Sequence, residues 1–266
     1  MKTIAVVVNK GGVTKTSTVI HLSAYLAKRG KKVLVVDFDP QRNTSGGFGV
    51  PDDHPYTVLD MLMGKSNVRL RNKKKNLYIL AGSRELDTLQ YDLNILKERL
   101  KVLSQVFERE HNIKFDYCII DCSPSDIKDK YDRRSGKAKF LPKLNQIALY
   151  ASDIFVMPML HEQFAMDGLN GFVNDVIDFR KKHHNELKVG GVFFNIVDTR
   201  TRNFKKYYAQ LKKDVPKEYF LDTYVRKDVR ISDAAQAGES IFDVDPNCRA
   251  ADDYRKLCNT LLKKLN

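Results

Sequence analysis

The chain alternates short apolar runs with longer amphipathic stretches. Most of the apolar runs are hydrophobic almost throughout rather than at every second position, which is typical of parallel strands covered by helices on both faces. The predicted strands span residues 3–8, 32–38, 77–80, 117–121, 153–158, 189–197 and, as a weaker pattern, 218–225.

Helical patterns fill the intervals between these runs. They span residues 15–29, roughly 88–110, 142–150, 162–184, 202–214 and 249–265. This alternation predicts an α/β fold with a mostly parallel sheet, helices on both faces and right-handed crossovers. The sequence has no internal repeat and no linker rich in Pro, Gly or Ser, so we expect residues 1–266 to form one domain. Residues 126–140 are polar and basic and predict a surface loop.

Charge is the most informative bulk property. Lys and Arg total 46 against 33 Asp and Glu, which gives a net charge of +13 and a pI near 9.4. Such a field favours a polyanionic partner, either nucleic acid or anionic lipid. No run approaches the roughly 18 apolar residues of a membrane span, so we expect none. The four cysteines (Cys118, Cys122, Cys248 and Cys258) lack metal-ligand spacing and predict free thiols.

The segment KGGVTKTS at residues 10–17 lies between the first predicted strand and the first predicted helix. It departs from the phosphate-loop pattern G-x-x-x-x-G-K-[ST] because Asn9 and Thr14 stand at the glycine positions. The glycines that are present, Gly11 and Gly12, provide the freedom for backbone N–H groups to converge on an anion. The segment therefore predicts a variant phosphate-binding loop.

The glycine turn is followed by two residues, Lys15 and Thr16, whose side chains are of the kind that bind phosphate and its metal ion. Lys15 starts the predicted helix, where an ammonium can reach the β- and γ-phosphates, and Thr16 can offer its hydroxyl to Mg²⁺.

Carboxylates end two of the predicted strands. Asp37 and Asp39 close the strand in VVDFDPQRN at residues 35–43, and Asp121 closes the strand in CIIDCSPS at residues 118–125. The carboxyl edge of an open α/β sheet is where ligands bind. Asp121 is therefore predicted to hold Mg²⁺ through water beside the phosphate loop.

Together these motifs resemble a known family. K-G-G-V-x-K-T at 10–16, D-x-D-P-Q at 37–41 and I-I-D-C-x-P-S at 119–125 resemble the ParA/MinD family of deviant Walker-A ATPases, most closely its ParA (Soj-like) partition branch. The resemblance covers nearly the whole chain, including HEQFAMDGL at 161–169 and the segment 225–241.

The resemblance implies a mechanism in which two protomers sandwich two ATP molecules. Lys10 would reach the nucleotide of the other protomer, Lys15 would bind phosphates in its own protomer, and Asp39 would orient the attacking water. The implied nucleotide-binding residues are Lys10, Gly11, Gly12, Val13, Thr14, Lys15, Thr16 and Ser17. The implied metal-binding residues are Thr16, Asp37 and Asp121.

Resemblance to the partition branch also implies what the ATP-bound dimer binds. Its ATP-bound homodimer binds DNA without reading sequence, and Arg200 and Arg230 match positions with that role. Further basic residues nearby are Arg202, Lys205, Lys206, Lys212, Lys213, Arg226 and Lys227. The resemblance further implies a cytoplasmic, nucleoid-associated protein that a ParB-like or adaptor protein stimulates.

Three alternatives remain open. A MinD-like membrane role would use the leucines of the last helix (Leu257, Leu261, Leu262 and Leu265), although we favour their packing on the core. A metal-cluster or nitrogenase-reductase-like ATPase would need an exposed cysteine, for which Cys122 is the candidate. A nucleotide switch without hydrolysis is the third, since Thr14 departs from the family pattern.

Overall fold

An eight-stranded sheet forms the centre of the protein in the computed structural model, which describes residues 1–8, 14–132, 139–160 and 163–265. Its strands are β1 (Lys2–Val6), β2 (Val33–Phe38), β3 (Arg71–Lys74), β4 (Leu77–Leu80), β5 (Tyr117–Cys122), β8 (Ile154–Met159), β9 (Lys188–Val197) and β10 (Phe220–Arg226), with β6 (Tyr131–Asp132) and β7 (Lys139–Phe140) forming a separate hairpin. The order across the sheet is β10-β9-β8-β1-β5-β2-β4-β3. Neighbours pair in parallel except β3 with β4. The predicted α/β class with a mostly parallel sheet is confirmed.

Helices connect these strands and cover the sheet. They are α1 (Thr14–Lys28), α2 (Asn43–Gly47), α3 (Val58–Leu62), α4 (Ile95–His111), α5 (Leu144–Tyr150), α6 (Gln163–His183), α7 (Arg202–Asp214), α8 (Val229–Gln236), α9 (Ile241–Val244) and α10 (Arg249–Leu265). A single 3₁₀ turn at Lys217–Tyr219 precedes β10 within the part of the chain that the structure describes.

Two apolar cores lie on opposite faces of the sheet. In β2, Leu34 and Val36 enter one core, while Val33 and Val35 enter the other. Side chains alternate across a strand, so a strand covered on both faces must be apolar at almost every position. Helices α1 and α10 pack on one face, and α4 to α7 pack on the other.

The last helix uses its apolar face for packing. Leu257, Leu261 and Leu265 are at most 3% exposed and belong to the core that α1 shares. The expected packing of this face on the core is therefore confirmed. None of the helices in the described ranges combines the length and apolar character that a membrane crossing requires.

Several elements differ from the sequence-based expectation. Helix α4 begins at Ile95 rather than near residue 88, because residues 87–94 contain the turn-favouring Asp87, Asp92 and Asn94. The expected loop at 126–140 contains the β6–β7 hairpin, whose Phe140 ring stacks on His183 with centroids 4.9 Å apart. Residues 133–138 lie outside the described residues.

Close packing between α10 and the sheet yields a stability prediction at Gly190 of β9. A Cβ at this position would collide with the carbonyl oxygen of Phe155 and lie 2.8 Å from Leu261 Cδ1. Gly190→Ala should therefore lower the free energy of unfolding by about 1–3 kcal/mol, measured by denaturant titration.

Gly171 of α6 provides the matched control, because a Cβ there would meet nothing within 4 Å. Gly171→Ala should raise stability slightly, by about 0.5–1 kcal/mol, because alanine favours a helix interior. Equal effects of the two substitutions would contradict the packing account.

Candidate functional site

Three carboxylates meet at the carboxyl edge of the sheet. The register pairs Asp37 of β2 directly with Asp121 of β5, and Asp39 follows two residues after Asp37. All three are at most 2% exposed. Parallel strands end at the same edge of the sheet, so the acids that the sequence places at strand ends lie close together here.

Lys15 provides the positive charge for this cluster. It lies in the first turn of α1, is 3% exposed, and places its Nζ 2.6 Å from Asp121 Oδ1 and 3.0 Å from Asp39 Oδ2. Burial alone would lower the pKa of Lys15, but Asp121 and then Asp39 raise it above its ordinary value. One permanent cation therefore faces three buried carboxyl groups.

Two hydroxyls hold the second oxygen of Asp121. Thr16 Oγ1 donates to Asp121 Oδ2 at 3.2 Å, and Thr44 Oγ1 of α2 donates to the same oxygen. Burial raises the pKa of Asp121, and the opposing attraction of Lys15 does not cancel that effect. The orientation of this carboxylate is thus set from both α1 and α2.

Asp37 lies in a separate cradle. Its Oδ2 accepts from Ser45 N at 2.7 Å and from Ser45 Oγ at 2.6 Å, while Ser45 Oγ accepts from Gly82 N at 2.9 Å. A Cβ at Gly82 would lie 3.0 Å from Asp37 Cγ, so a side chain there would press on the Asp37 carboxyl. Burial, and then repulsion from Asp121, raises the pKa of Asp37 to about 7.

Sequence reasoning missed Thr44, Ser45 and Gly82. The signal that could have revealed the first two is the hydroxyl pair in NTSGG at 43–47, immediately after D-x-D-P-Q. Short polar side chains one turn beyond strand-end acids are well placed to donate to them. Gly82 carries no comparable local signal, because its role depends on the neighbouring strand.

The other predicted site residues are placed differently. Lys10, Gly11, Gly12 and Val13 lie outside the described residues. Thr14 starts α1.

Ser17 lies beside α10, with its Oγ 3.1 Å from Tyr254 OH. Arg200 follows β9 and Arg230 belongs to α8, so neither contributes a contact to the carboxylate cluster. The structure therefore brings together Lys15, Thr16 and the three aspartates.

The oxygen donors in this cluster suit Mg²⁺. That ion prefers hard oxygen ligands and is usually held by one or two carboxylates together with phosphate and water. Asp37, Asp121 and the Thr16 hydroxyl supply such donors, with Lys15 adjacent for phosphate. Across the described ranges, no group of three His, Cys, Asp or Glu side chains forms a ready-made metal site.

Cys122 is buried in the core directly after Asp121. It is 0% exposed, and burial raises the pKa of its thiol. A metal cluster that bridges two protomers needs an exposed thiolate, so this burial counts against Cys122 as its ligand.

Comparison with known proteins gives a consistent result. The family model described as an AAA domain matches residues 1–189. The chain is 32% identical over 266 residues to the chromosome-partitioning ATPase Soj of Treponema pallidum, covering 99% of this chain and 98% of that protein. It is 33% identical over 264 residues to the sporulation initiation inhibitor protein Soj of Bacillus subtilis, covering 96% of each.

A solved structure shares the fold at lower identity. Cobyrinic acid a,c-diamide synthase from Mycobacterium smegmatis, with a bound ATP analogue and magnesium, matches with a TM-score of 0.77 and 23% identity, covering 99% of this chain and 94% of that one. At this identity the match supports the architecture of the sheet and its helices.

The raised pKa of Asp37 predicts a pH dependence of stability. The folded state holds a proton up to about pH 7, whereas the unfolded carboxyl releases it near 3.8. The folded state therefore binds more protons between these values, and stability contributed by the protonated form is lost as pH rises toward 7. Asp37→Asn should remove this loss, which amounts to about 2–3 kcal/mol between pH 5 and pH 8.

Denaturant unfolding at both pH values measures the effect, with Asp53→Asn as the control because Asp53 is exposed. The control should follow the unmodified protein. A pH dependence that is identical in Asp37→Asn and the unmodified protein would show that Asp37 ionises normally.

Proposed function

This chain belongs to the ParA/Soj family of partition ATPases, and on that premise we propose that it is a Mg²⁺-dependent ATP hydrolase whose ATP-bound homodimer binds DNA without reading its sequence. The contact of Lys15 with Asp39 and Asp121 carries the proposal. This contact joins Lys15, which would bind phosphate, to Asp121, on which metal binding would depend, and to Asp39, on which hydrolysis would depend.

Lys15 is the residue that the nucleotide would move. Its ammonium is held by two carboxylates in this structure, and the β- and γ-phosphates would compete for the same charge. As Lys15 turns toward phosphate, Asp121 loses this contact and would be available, together with Asp37 and the Thr16 hydroxyl, to hold Mg²⁺. The bound ion would neutralise charge on the β- and γ-phosphates.

Asp39 would be released by the same movement. Its Oδ2 accepts from Lys15 and its Oδ1 accepts from the backbone N–H of Gln41 at 3.0 Å. Once Lys15 leaves, Oδ2 can orient a water molecule while Oδ1 keeps the side chain in place. The ammonium of Lys15 would therefore occupy Asp39 Oδ2 until phosphate takes the place of the carboxylate. Asp39 would then orient water only when nucleotide is bound.

The proposed dimer depends on Lys10, whose role follows from the family resemblance. An ammonium from the partner protomer would stabilise charge on the transferring phosphoryl group, in the manner of an arginine finger. Hydrolysis would then require two protomers.

Arg200 and α7 provide a cationic surface that suits DNA. Arg200 precedes α7 and has 89% of its side chain exposed. The solvent face of α7 carries five cations (Arg202, Lys205, Lys206, Lys212 and Lys213), while Phe204, Tyr207 and Leu211 face the core. Asp214 is the acid that this helix carries. Such a surface can neutralise several phosphates without reading bases.

Arg200 and Arg230 are each paired with acids in this structure. Arg200 donates to both oxygens of Asp198, at 3.0 and 2.8 Å, and Arg230 lies 2.9 Å from Asp233 and 3.5 Å from Asp245. Binding of a phosphate here would exchange one anion for another. The lysines of α7 should therefore supply much of the affinity for DNA, while the two arginines should fix where the duplex lies on the protein.

Cargo positioning would follow from this switch. The relatives include a chromosome-partitioning ATPase, which supports a cytoplasmic, nucleoid-associated role with a ParB-like or adaptor protein as the stimulating partner.

Substitution of Asp39 tests hydrolysis. Asp39→Ala should keep ATP-dependent dimers while turnover falls about a hundredfold or more, because water positioning is lost and the phosphate site is not. Phosphate release and light scattering with ATP measure the two properties. Exposed Asp53 provides the control, so Asp53→Ala should retain full turnover.

Companion variants separate the other roles. Lys15→Ala should abolish ATP binding, Lys10→Ala should bind ATP without dimerising, and Thr14→Gly should hydrolyse ATP at an equal or higher rate. Unchanged turnover in Asp39→Ala would remove its assigned role, and absence of turnover in the unmodified protein would favour a switch that does not hydrolyse.

Salt dependence and local charge reversal test DNA binding. Affinity of the ATP form should fall by roughly one log unit per log unit of salt for each phosphate neutralised. Arg200→Glu and Arg230→Glu should each weaken binding about tenfold or more, and the double change Lys205→Glu with Lys206→Glu should weaken it further. Fluorescence titrations on two unrelated duplexes, with ATP and with ADP, measure these effects.

Lys114→Glu is the matched control. Lys114 is exposed at the opposite, amino-terminal edge of the strands, just before β5, and its reversal changes the net charge equally. It should weaken binding by less than about twofold. An effect as large as that of Arg200→Glu would mean that overall charge, rather than this surface, governs binding.

A further inference from the structure

A buried polar cluster connects α1 to α10 and to β9, the second strand from the β10 side of the sheet. Tyr254 of α10 is 0% exposed, and its OH lies 3.1 Å from Ser17 Oγ and 3.3 Å from Asn195 Nδ2. Asn195 Nδ2 also donates to Thr18 Oγ1 at 3.2 Å. We call this group, together with His21, the Tyr254 hub.

His21 completes the hub on the α1 side. Its ring packs edge-on against the Tyr254 ring at 4.5 Å, and its Nδ1 accepts from the Ile241 backbone N–H at 3.3 Å. Burial lowers the pKa of His21 to about 3, so the ring is neutral and can accept this bond. Buried polar atoms are costly unless they are bonded, so the hub fixes how α1, α9, α10 and β9 fit together.

One connection leads from the hub along β9. Asn195 Oδ1 accepts from the N–H of Ile196, whose φ of 56° is left-handed. A β-branched residue in this region is strained. The pairing of β9 with β10 also shifts register between Tyr224 and Arg226, and strand irregularities of this kind re-aim the chain beyond them.

A second connection leads along α10. Asp253, beside Tyr254, accepts from Arg226 Nε and Nη2 at 2.7 Å each and from the Arg226 backbone N–H at 3.0 Å. From the same helix, Arg249 Nη2 donates to the Lys227 carbonyl at 2.9 Å. The loop after β10 is therefore fastened to the helix that carries Tyr254.

Both connections end at one small cavity. It has a volume of about 220 Å³ and is lined by residues at the carboxyl ends of β9 and β10, among them Asp198, Arg200, Arg226 and Lys227, and by Arg249 at the start of α10. Its cations border the surface to which DNA binding is assigned above. The hub thus lies between the helix that starts at the phosphate site and this surface.

We propose that Tyr254 and Asn195 are positioning residues that transmit the nucleotide state of α1 to the cationic surface around Arg200. The inference rests on the proposed function, since it requires ATP to act at Lys15. Ser17 and Thr18 share the first turn and a half of α1 with Lys15, so a shift of this turn alters their bonds to the hub. The strained Ile196 segment and the Arg226 loop then change position together. A ligand shifts such an equilibrium only through these differential contacts.

Hydrogen–deuterium exchange tests the transmission without DNA. In the unmodified protein, ATP with Mg²⁺ should change the exchange rate of backbone amides in 196–201 and 226–230 by about fivefold or more. Tyr254→Phe removes the hydroxyl and keeps the ring, so ATP affinity should stay within about threefold. Its exchange response to ATP in these segments should fall below about twofold.

Tyr25→Phe is the matched control. Tyr25 OH also bridges α1 and α10, donating to Asn259 Oδ1 at 2.7 Å, but does so at an exposed position away from the hub. This variant should keep the full ATP response. Asn195→Ala is the second hub variant and should lose the response as Tyr254→Phe does, which keeps the test decisive if one variant folds poorly.

DNA titration gives the functional readout. In Tyr254→Phe, the ratio of DNA affinities with ATP and with ADP should fall about tenfold relative to Tyr25→Phe. Failure of the unmodified protein to bind ATP would overturn the proposed function and this inference with it. Normal ATP binding with an unchanged exchange rate in 196–201, or an intact response in both hub variants, would overturn the inference alone.

Discussion

The buried contact between Lys15 and the carboxylates of Asp39 and Asp121 is the interaction on which the rest of the site depends. Buried ions cost several kcal/mol each unless they are paired, and here one ammonium compensates more than one acid. Burial, and then the charge of Asp121, raises the pKa of Asp37 to about 7, so the Asp37 carboxyl is only partly ionised near neutral pH. The cluster is therefore short of positive charge, which a divalent cation can supply, and Lys15 becomes free to serve phosphate.

The sheet makes this arrangement rigid. Asp37 and Asp121 are neighbours because β2 and β5 pair in register, and apolar cores on both faces hold those strands in place. Helix α1 starts at the same edge and delivers Lys15, while α2 delivers hydroxyls to both acids. The segment with Arg200 follows β9, whose carboxyl end lies at that edge too. The proposed nucleotide site and the proposed DNA-binding surface are thus close enough in the fold to be linked by a few buried side chains.

Much of this could be predicted from the sequence. The apolar runs of β2 and β5 and the acids that end them were enough to place Asp37 and Asp121 at the same edge of the sheet, because parallel strands share one edge, whereas the direct pairing of β2 with β5 depends on the tertiary fold. Helix α2 spans only five residues and carries no periodic signal, so the contacts of Thr44 and Ser45 were missed. Strand β3, with the sequence RNKK, is polar and pairs antiparallel at the sheet edge, where no apolar pattern is needed. The acids that pair with Arg200 and Arg230 are visible in the sequence, but their pairing depends on tertiary geometry.

The most direct test of the central claim is a crystal structure of this protein with Mg²⁺ and a non-hydrolysable ATP analogue. The account predicts that Lys15 Nζ will lie about 3 Å from the β- or γ-phosphate oxygens, and that its contact with Asp39, now 3.0 Å, will be broken. Asp121 should then face the metal, directly or through water. Lys15 remaining bonded to both Asp39 and Asp121 in the presence of bound nucleotide would contradict the account.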